Sequence, residues 1–103
     1  MQPELWIGLV HVKPLDRKAY GAAGAFTNIV TWACDAEGFR RKAETIAVTL
    51  EMYVVDVEEA EPLIKRTSDW LLTEEIDELV ARAGSDANAI EYGTFHNYSF
   101  DEA

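Results

Sequence analysis

Cysteine is almost absent from this chain of 103 residues, in which Cys34 stands alone. A single cysteine excludes an intramolecular disulfide and a zinc site built from several cysteines, because each needs at least two thiols. No apolar run approaches the roughly 20 residues that a membrane-spanning helix needs, and no basic segment followed by an apolar one opens the sequence. We therefore expect a soluble, cytoplasmic protein that is not exported and does not bind membranes.

Basic residues are also scarce, with 9 Lys and Arg against 19 Asp and Glu, for a formal net charge of −10. The excess is uneven, since residues 1–50 hold five acids and six bases whereas residues 51–103 hold fourteen acids and three bases. Binding to nucleic acid or to anionic lipid depends on Lys and Arg that replace counterions, so this charge disfavours both partners. An acidic surface favours either solubility alone or an encounter with a basic protein.

A strand, a helix and a second strand form the best-defined part of the sequence. Residues 27–33 are β-branched and aromatic, which is typical of a strand. Asp35 follows as an N-cap, because its carboxylate can accept a hydrogen bond from the free amides of a first helical turn. Residues 52–57 return to β character, and a crossover through the helix makes the two strands parallel. The apolar stripe of the helix consists of Phe39, Ala43, Ile46, Ala47 and Leu50.

Further elements precede and follow this unit. Residues 5–12 are apolar at both alternating sets of positions, which predicts a strand at the centre of the sheet, buried on both faces. Residues 16–25 contain glycines and predict a mobile loop, with one helical turn as the alternative. Residues 63–72 predict a connector that Trp70 anchors to the core.

A second helix is predicted over residues 74–83, with Thr73 as its N-cap and Gly84 at its end. An aromatic-rich last strand follows over residues 90–98. These elements predict a single α+β domain covering residues 1–103. The expected architecture is a two-layer sandwich of a four-stranded mixed sheet with two helices on one face, ferredoxin-like or a close variant. The residues expected between the layers are Phe39, Ile46, Leu79 and Val80.

The strands of this predicted sheet carry apolar residues on both sides, although the helices cover only one. Trp6, Val30 and Trp32 are too apolar to face water, so a second copy of the chain is expected to cover them. We therefore expect a homodimer.

No catalytic constellation and no cofactor site stand out. His11 and His96 are the only histidines, and no short-spaced ligand pair is present, so no metal site is predicted. Cys34 has no base near it in the sequence and is interpreted as a small structural side chain. The residues predicted to contact a partner are the acids Glu58, Glu59, Glu61, Glu74, Glu75 and Asp77.

Three short segments carry a resemblance to known proteins: Trp32-Ala33 at the end of a strand, Asp35-Ala36-Glu37-Gly38-Phe39-Arg40 at the start of a helix, and Glu61-Pro62-Leu63. Together they resemble small bacterial ferredoxin-like domains without assigned activity. Some immunity proteins that neutralise toxins are similar in size and acidity. The resemblance implies no catalytic residue.

Two functions of different classes remain open. The charge favours an acidic protein–protein interaction module, of immunity or regulator type, that acts on a basic partner. The alternative is a dimeric ferredoxin-like enzyme or small-ligand-binding protein with a pocket near Tyr92 and His96. The residues expected around that pocket are His11, Tyr92, His96 and Tyr98.

Overall fold

The computed structural model describes residues 2–16, 18, 21–69 and 71–99, so the predicted anchor Trp70 lies outside the described residues. This part of the chain forms five strands and three helices, which confirms the α+β class. The prediction of four strands and two helices is wrong. In chain order the elements are β1 (Glu4–Pro14), β2 (Gly24–Ala33), α1 (Ala36–Thr49), β3 (Met52–Pro62), α2 (Leu63–Asp69), α3 (Glu74–Gly84), β4 (Ile90–Tyr92) and β5 (His96–Tyr98).

The strands lie in the order β3-β1-β2-β4, and β5 pairs with a different part of β2. Every hydrogen-bonded pair among the described strands is antiparallel, so the predicted mixed sheet is wrong. β1 lies between β2 and β3 and runs opposite to both, which makes β2 and β3 parallel to each other. The parallel direction of the strand-helix-strand unit and the central position of β1 are therefore confirmed.

The helices cover both faces of the sheet, so the predicted placement of two helices on one face is wrong. Successive side chains of a strand point to opposite faces. Val10 and Ile29 pack against α1, whereas Ile7 and Val30 pack against α3. Leu63 of α2 lies on the α3 side. α1 therefore forms one outer layer and α2 with α3 the other, and a ferredoxin-like arrangement is not confirmed.

The sheet divides the apolar core into two parts. Phe39 and Ile46 of α1 pack in one part, and Leu79 and Val80 of α3 pack in the other. All four predicted core residues thus point towards the sheet, but from opposite sides.

Both predicted N-caps are present. Oδ1 of Asp35 accepts a hydrogen bond from the N–H of Gly38 at 2.7 Å, and Oγ1 of Thr73 accepts one from the N–H of Ile76 at 3.3 Å. The end of α1 has no glycine or asparagine, and Glu51 takes the left-handed conformation there with φ of 61°. A carboxylate side chain thus occupies a backbone position that usually favours glycine.

β3 runs to Pro62, beyond the predicted end at residue 57. The strand lies at the edge of the sheet, where a proline removes no hydrogen bond from a neighbouring strand. Its pairing with β1 shifts by one residue between Glu58 and Glu61, and Glu59 has φ of 56° within this shift. A bulge of this kind twists an edge strand and hinders pairing with other chains.

Two predicted connections differ from the structure. Residues 63–72, predicted as a mixed connector, contain the helix α2. Gly24 and Ala25, predicted to lie in a loop, already belong to β2, and residues 17, 19 and 20 of that predicted loop lie outside the described residues. Among the described residues, no helix is long and apolar enough to cross a membrane.

The last predicted strand is interrupted between β4 and β5. Gly93 still donates its N–H to the carbonyl of Asn28 in β2 at 3.0 Å. The N–H of Thr94 is instead bound by Oε1 of Glu75 in α3, also at 3.0 Å. This tertiary contact has no signature in the local sequence, which explains why one continuous strand was predicted.

Candidate functional site

A cleft opens on the α3 side of the sheet, where the end of β3 faces the start of α3. Its volume is about 530 Å³, which lies within the range of roughly 300–1,000 Å³ that is usual for ligand pockets. We name it the acidic cleft. It is lined by Ile7, Asn28, Glu59, Glu61, Arg66, Leu71, Leu72, Thr73 and Ile76.

Arg66 holds one wall of the acidic cleft together. Its Nε donates to Oε1 of Glu61, and its Nη2 donates to the carbonyl of Glu59 at 2.8 Å. The side chains of Arg66 and Glu61 are only 18% and 23% exposed. The pair therefore fixes α2 against the bulged end of β3, and it neutralises the charge of Glu61 locally.

The six acids predicted to bind a partner have two different roles. Glu61 is used inside the protein by Arg66. Glu75 accepts hydrogen bonds from the N–H and Oγ1 of Thr94 at 3.0 and 2.8 Å. These bonds hold the pKa of Glu75 below its usual value of 4.5, because they stabilise the ionised carboxylate.

The other four predicted acids are exposed, and no salt bridge engages them within the described part of the chain. Glu58 and Glu59 lie on the edge strand β3, and Glu59 itself lines the acidic cleft. Glu74 and Asp77 lie in the first turn of α3, beside the lining residues Thr73 and Ile76. Two acidic segments that are distant in the sequence therefore border one cleft.

Each acidic segment also has a role in folding. Carboxylates in the first turn of α3 stabilise the helix, because its N-terminus carries a partial positive charge. Acids on β3 discourage pairing of this edge with another strand. Neither role requires the two segments to converge on the same cleft.

The residues of the alternative pocket do not all come together. His11 Nε2 lies 2.6 Å from the hydroxyl of Tyr98, and His96 pairs with Phe26, which stacks on His11 with ring centroids 4.4 Å apart. Tyr92 lies on the opposite face of the sheet, next to α1.

The cavity beside Tyr92 holds only about 10 Å³, which is too small for an organic ligand. Among the described residues, Tyr92 and His96 lie on opposite faces of the sheet. No group of three or more His, Cys, Asp or Glu that could hold a metal ion occurs in residues 2–16, 18, 21–69 and 71–99.

Sequence reasoning missed the cleft residues Asn28, Arg66 and Ile76. They come from β2, α2 and α3, so their proximity depends on the tertiary fold. One signal is present, because residues 63–83 after Pro62 contain no glycine or proline, a pattern compatible with the start of a helix. Predicting α2 would have placed Arg66 beside the end of β3.

No known protein-family model matches the chain, and no curated protein or solved structure is significantly similar to it.

Proposed function

We propose that this protein is an acidic protein–protein interaction module, of immunity or regulator type, that acts on a basic partner. The observation that supports this most directly is the convergence of two acidic segments on one cleft. Glu59 lines it from β3, with Glu58 next to it in the strand, and Glu74 and Asp77 are neighbours in α3 of the lining residues Thr73 and Ile76. Their carboxylates make no salt bridge with the described residues, so they remain available to cations outside the protein.

The charge distribution supports the same partner class. The second half of the sequence, which contains both acidic segments, holds fourteen acids and three bases. A negative surface of this kind accelerates the encounter with a basic protein, and salt weakens the attraction. We further propose a reducing, cytoplasmic location and a relation to small bacterial ferredoxin-like and immunity proteins, on the composition and the short segments that resemble them.

We also propose that the protein is a homodimer, but for a different reason than the one that the sequence suggests. A bare sheet face was expected to need a second copy, whereas helices cover both faces. Two large apolar side chains are instead exposed, Ile64 of α2 at 77% and Leu71 of the acidic cleft at 100%. Light scattering coupled to size exclusion at micromolar concentration measures the mass, and a strict monomer would reject the dimer.

A pull-down from native lysate at low and high salt tests the basic partner. The variant to use carries Glu58→Lys, Glu59→Lys and Glu74→Lys, which reverse exposed acids beside the cleft. Glu61 and Glu75 stay unchanged, because reversing either would break a contact that holds the fold. We expect the variant to lose a basic protein that the natural sequence retains at low salt.

The matched control reverses three exposed acids away from the cleft, Glu37, Glu44 and Glu51. The charge change is the same, and the ion pairs that Glu37 and Glu44 make with α1 arginines are exposed and contribute little to stability. Retention of the partner by the control supports a specific surface. Equal loss from both variants, or no salt-sensitive partner at all, would reject the proposed function.

A further inference from the structure

The acidic cleft combines an apolar floor with a polar rim. Ile7 and Ile76 are buried and Leu72 is half-buried, and these three side chains supply the apolar part of the lining. Leu71 also lines the cleft and is fully exposed. A floor of this kind suits an aliphatic chain, because apolar atoms leave water when they enter it.

The lining also holds one polar side chain that has no hydrogen-bond partner among the described residues, Asn28. Asn28 lies on β2, two residues before Val30 of the α3-side core, and its side-chain amide makes no hydrogen bond with any described residue. An unpaired amide beside an apolar floor can accept a hydrogen bond from a ligand through its oxygen.

The charges around the cleft favour a cation over an anion. Arg66 is the only base among the described lining residues, and its guanidinium is already bound to Glu61 and to the carbonyl of Glu59. The side-chain carboxylate of Glu59 has no salt bridge with the described residues. Glu74 and Asp77 add negative charge at the start of α3, which opposes the attraction of the helix N-terminus for anions.

We propose that the acidic cleft binds a long aliphatic side chain that ends in a cation, a lysine or arginine of the partner protein. The stem of such a side chain would lie along Ile7, Leu72 and Ile76, while its charged end would reach the carboxylate of Glu59 and the amide of Asn28. Lysine and arginine commonly bury their aliphatic stems along apolar surface in this way, while the charged group stays in polar surroundings. This inference rests on the proposed function, since it names the part of the basic partner that the surface recognises.

Backbone NMR titration with N-acetyl-lysine N-methylamide tests the inference on the intact protein. The probe should shift the amide signals of Ile7, Asn28, Leu72 and Ile76 together, with one binding constant. N-acetyl-norleucine N-methylamide has the same type of stem without the charge, and it should bind about fivefold more weakly, since an ion pair at a partly exposed site contributes on the order of 1 kcal/mol.

Two charge-neutralising variants sharpen the test. Glu59 and Glu51 are both exposed, and both have left-handed backbone conformations with φ of 56° and 61°. They lie near opposite ends of β3, so Glu51→Gln is a matched control for Glu59→Gln. Glu59→Gln should weaken binding of the lysine probe about fivefold, whereas Glu51→Gln should leave it unchanged.

The inference is overturned if the cleft amides do not shift, if norleucine binds as well as lysine, or if the two variants weaken binding equally. Those results would leave the proposed function intact as long as reversal of Glu58, Glu59 and Glu74 still releases a basic protein. The opposite outcome is also informative: the lysine probe binds in the cleft, but the reversal variant keeps its partner. That result would reject the proposed function and would support a cleft for a free alkylammonium compound.

Discussion

The ring of Phe39 lies against Gly8, so closely that a Cβ atom on Gly8 would stand 2.8 Å from the ring carbon Cε1. Phe39 is completely buried in the first two turns of α1, and Gly8 lies in the middle of the central strand. The same Cβ would also come within 3.2 Å of the backbone of Ala60 in β3. The absence of a side chain at Gly8 therefore allows α1 to approach the sheet.

Replacing Gly8 with alanine should destabilise the protein. The added methyl group must displace the Phe39 ring or the backbone of β3, and overpacking of this kind costs roughly 1–3 kcal/mol in the free energy of unfolding. Urea denaturation followed by circular dichroism measures the loss. Gly84→Ala is the control, since nothing lies within 4 Å of its added Cβ, and it should be neutral or stabilise by about 0.5 kcal/mol. Equal stability of the two variants would contradict the close packing.

The sequence was informative wherever a local signal determines the structure. Asp35 and Thr73 cap helices as predicted, because capping depends on residues only three positions apart. The face that each helix covers depends on distant contacts and was assigned wrongly. The apolar Val30 predicts a bare face that needs a second copy, whereas α3 covers this residue. A strand with apolar residues on both of its faces is also typical of a sheet that helices cover on both sides.

The acids of the candidate site were predictable as charged residues, but their roles were not. Glu61 and Glu59 are close in the sequence, yet one is paired with Arg66 and the other has no salt bridge with the described residues. The difference depends on α2, a helix within the segment that the sequence predicts only as a mixed connector. Glu75 likewise binds Thr94, nineteen residues later in the chain. Sequence spacing alone does not distinguish an acid that binds within the fold from one that faces solvent.

Removing the guanidinium of Arg66 should destabilise the protein. Arg66→Ala would leave the largely covered carboxylate of Glu61 and the carbonyl of Glu59 without their donor, at a cost of roughly 1–3 kcal/mol. Arg41→Ala is the matched control, because its pair with Glu37 is 74% and 72% exposed and such a pair contributes less than about 0.5 kcal/mol. Chemical denaturation of both variants measures the difference. A loss for Arg66→Ala no larger than for Arg41→Ala would show that the pair does not fix α2.

The contact between Glu75 and Thr94 should make stability depend on acid pH. The pKa of Glu75 lies below 4.5 in the folded protein because Thr94 donates two hydrogen bonds to the carboxylate. The unfolded chain therefore takes up a proton first as the pH falls, so the stabilisation is present above pH 4.5 and is lost on acidification through the folded pKa.

Denaturation of the natural sequence and of Glu75→Gln at about pH 7 and about pH 3.5 measures this effect. The difference in unfolding free energy between the two proteins should be larger at the higher pH. Glu74→Gln is a neighbouring control, since Glu74 makes no salt bridge with the described residues. A difference for Glu75→Gln that does not change with pH would contradict the role of the carboxylate.

Protonation of His11 should make stability depend on pH in a range above that of Glu75. Burial lowers the pKa of His11 below 6.5, and nearby Lys13 lowers it further, while Asp56 and Glu58 oppose the shift. Because the folded protein disfavours the protonated imidazole, the unfolded chain binds the proton first as the pH falls. The contribution of His11 is therefore present above pH 6.5 and is lost as the pH falls through the folded pKa.

Comparison with His11→Gln tests this prediction, because glutamine can still hydrogen-bond to the hydroxyl of Tyr98 but does not titrate. Between about pH 7.5 and about pH 5.5 the natural sequence should lose more unfolding free energy than His11→Gln. NMR titration of the imidazole should give a pKa below 6.5 for His11. Parallel pH profiles for the two proteins, or an imidazole that titrates above 6.5, would show that burial beside Phe26 and Tyr98 does not disfavour the charged ring.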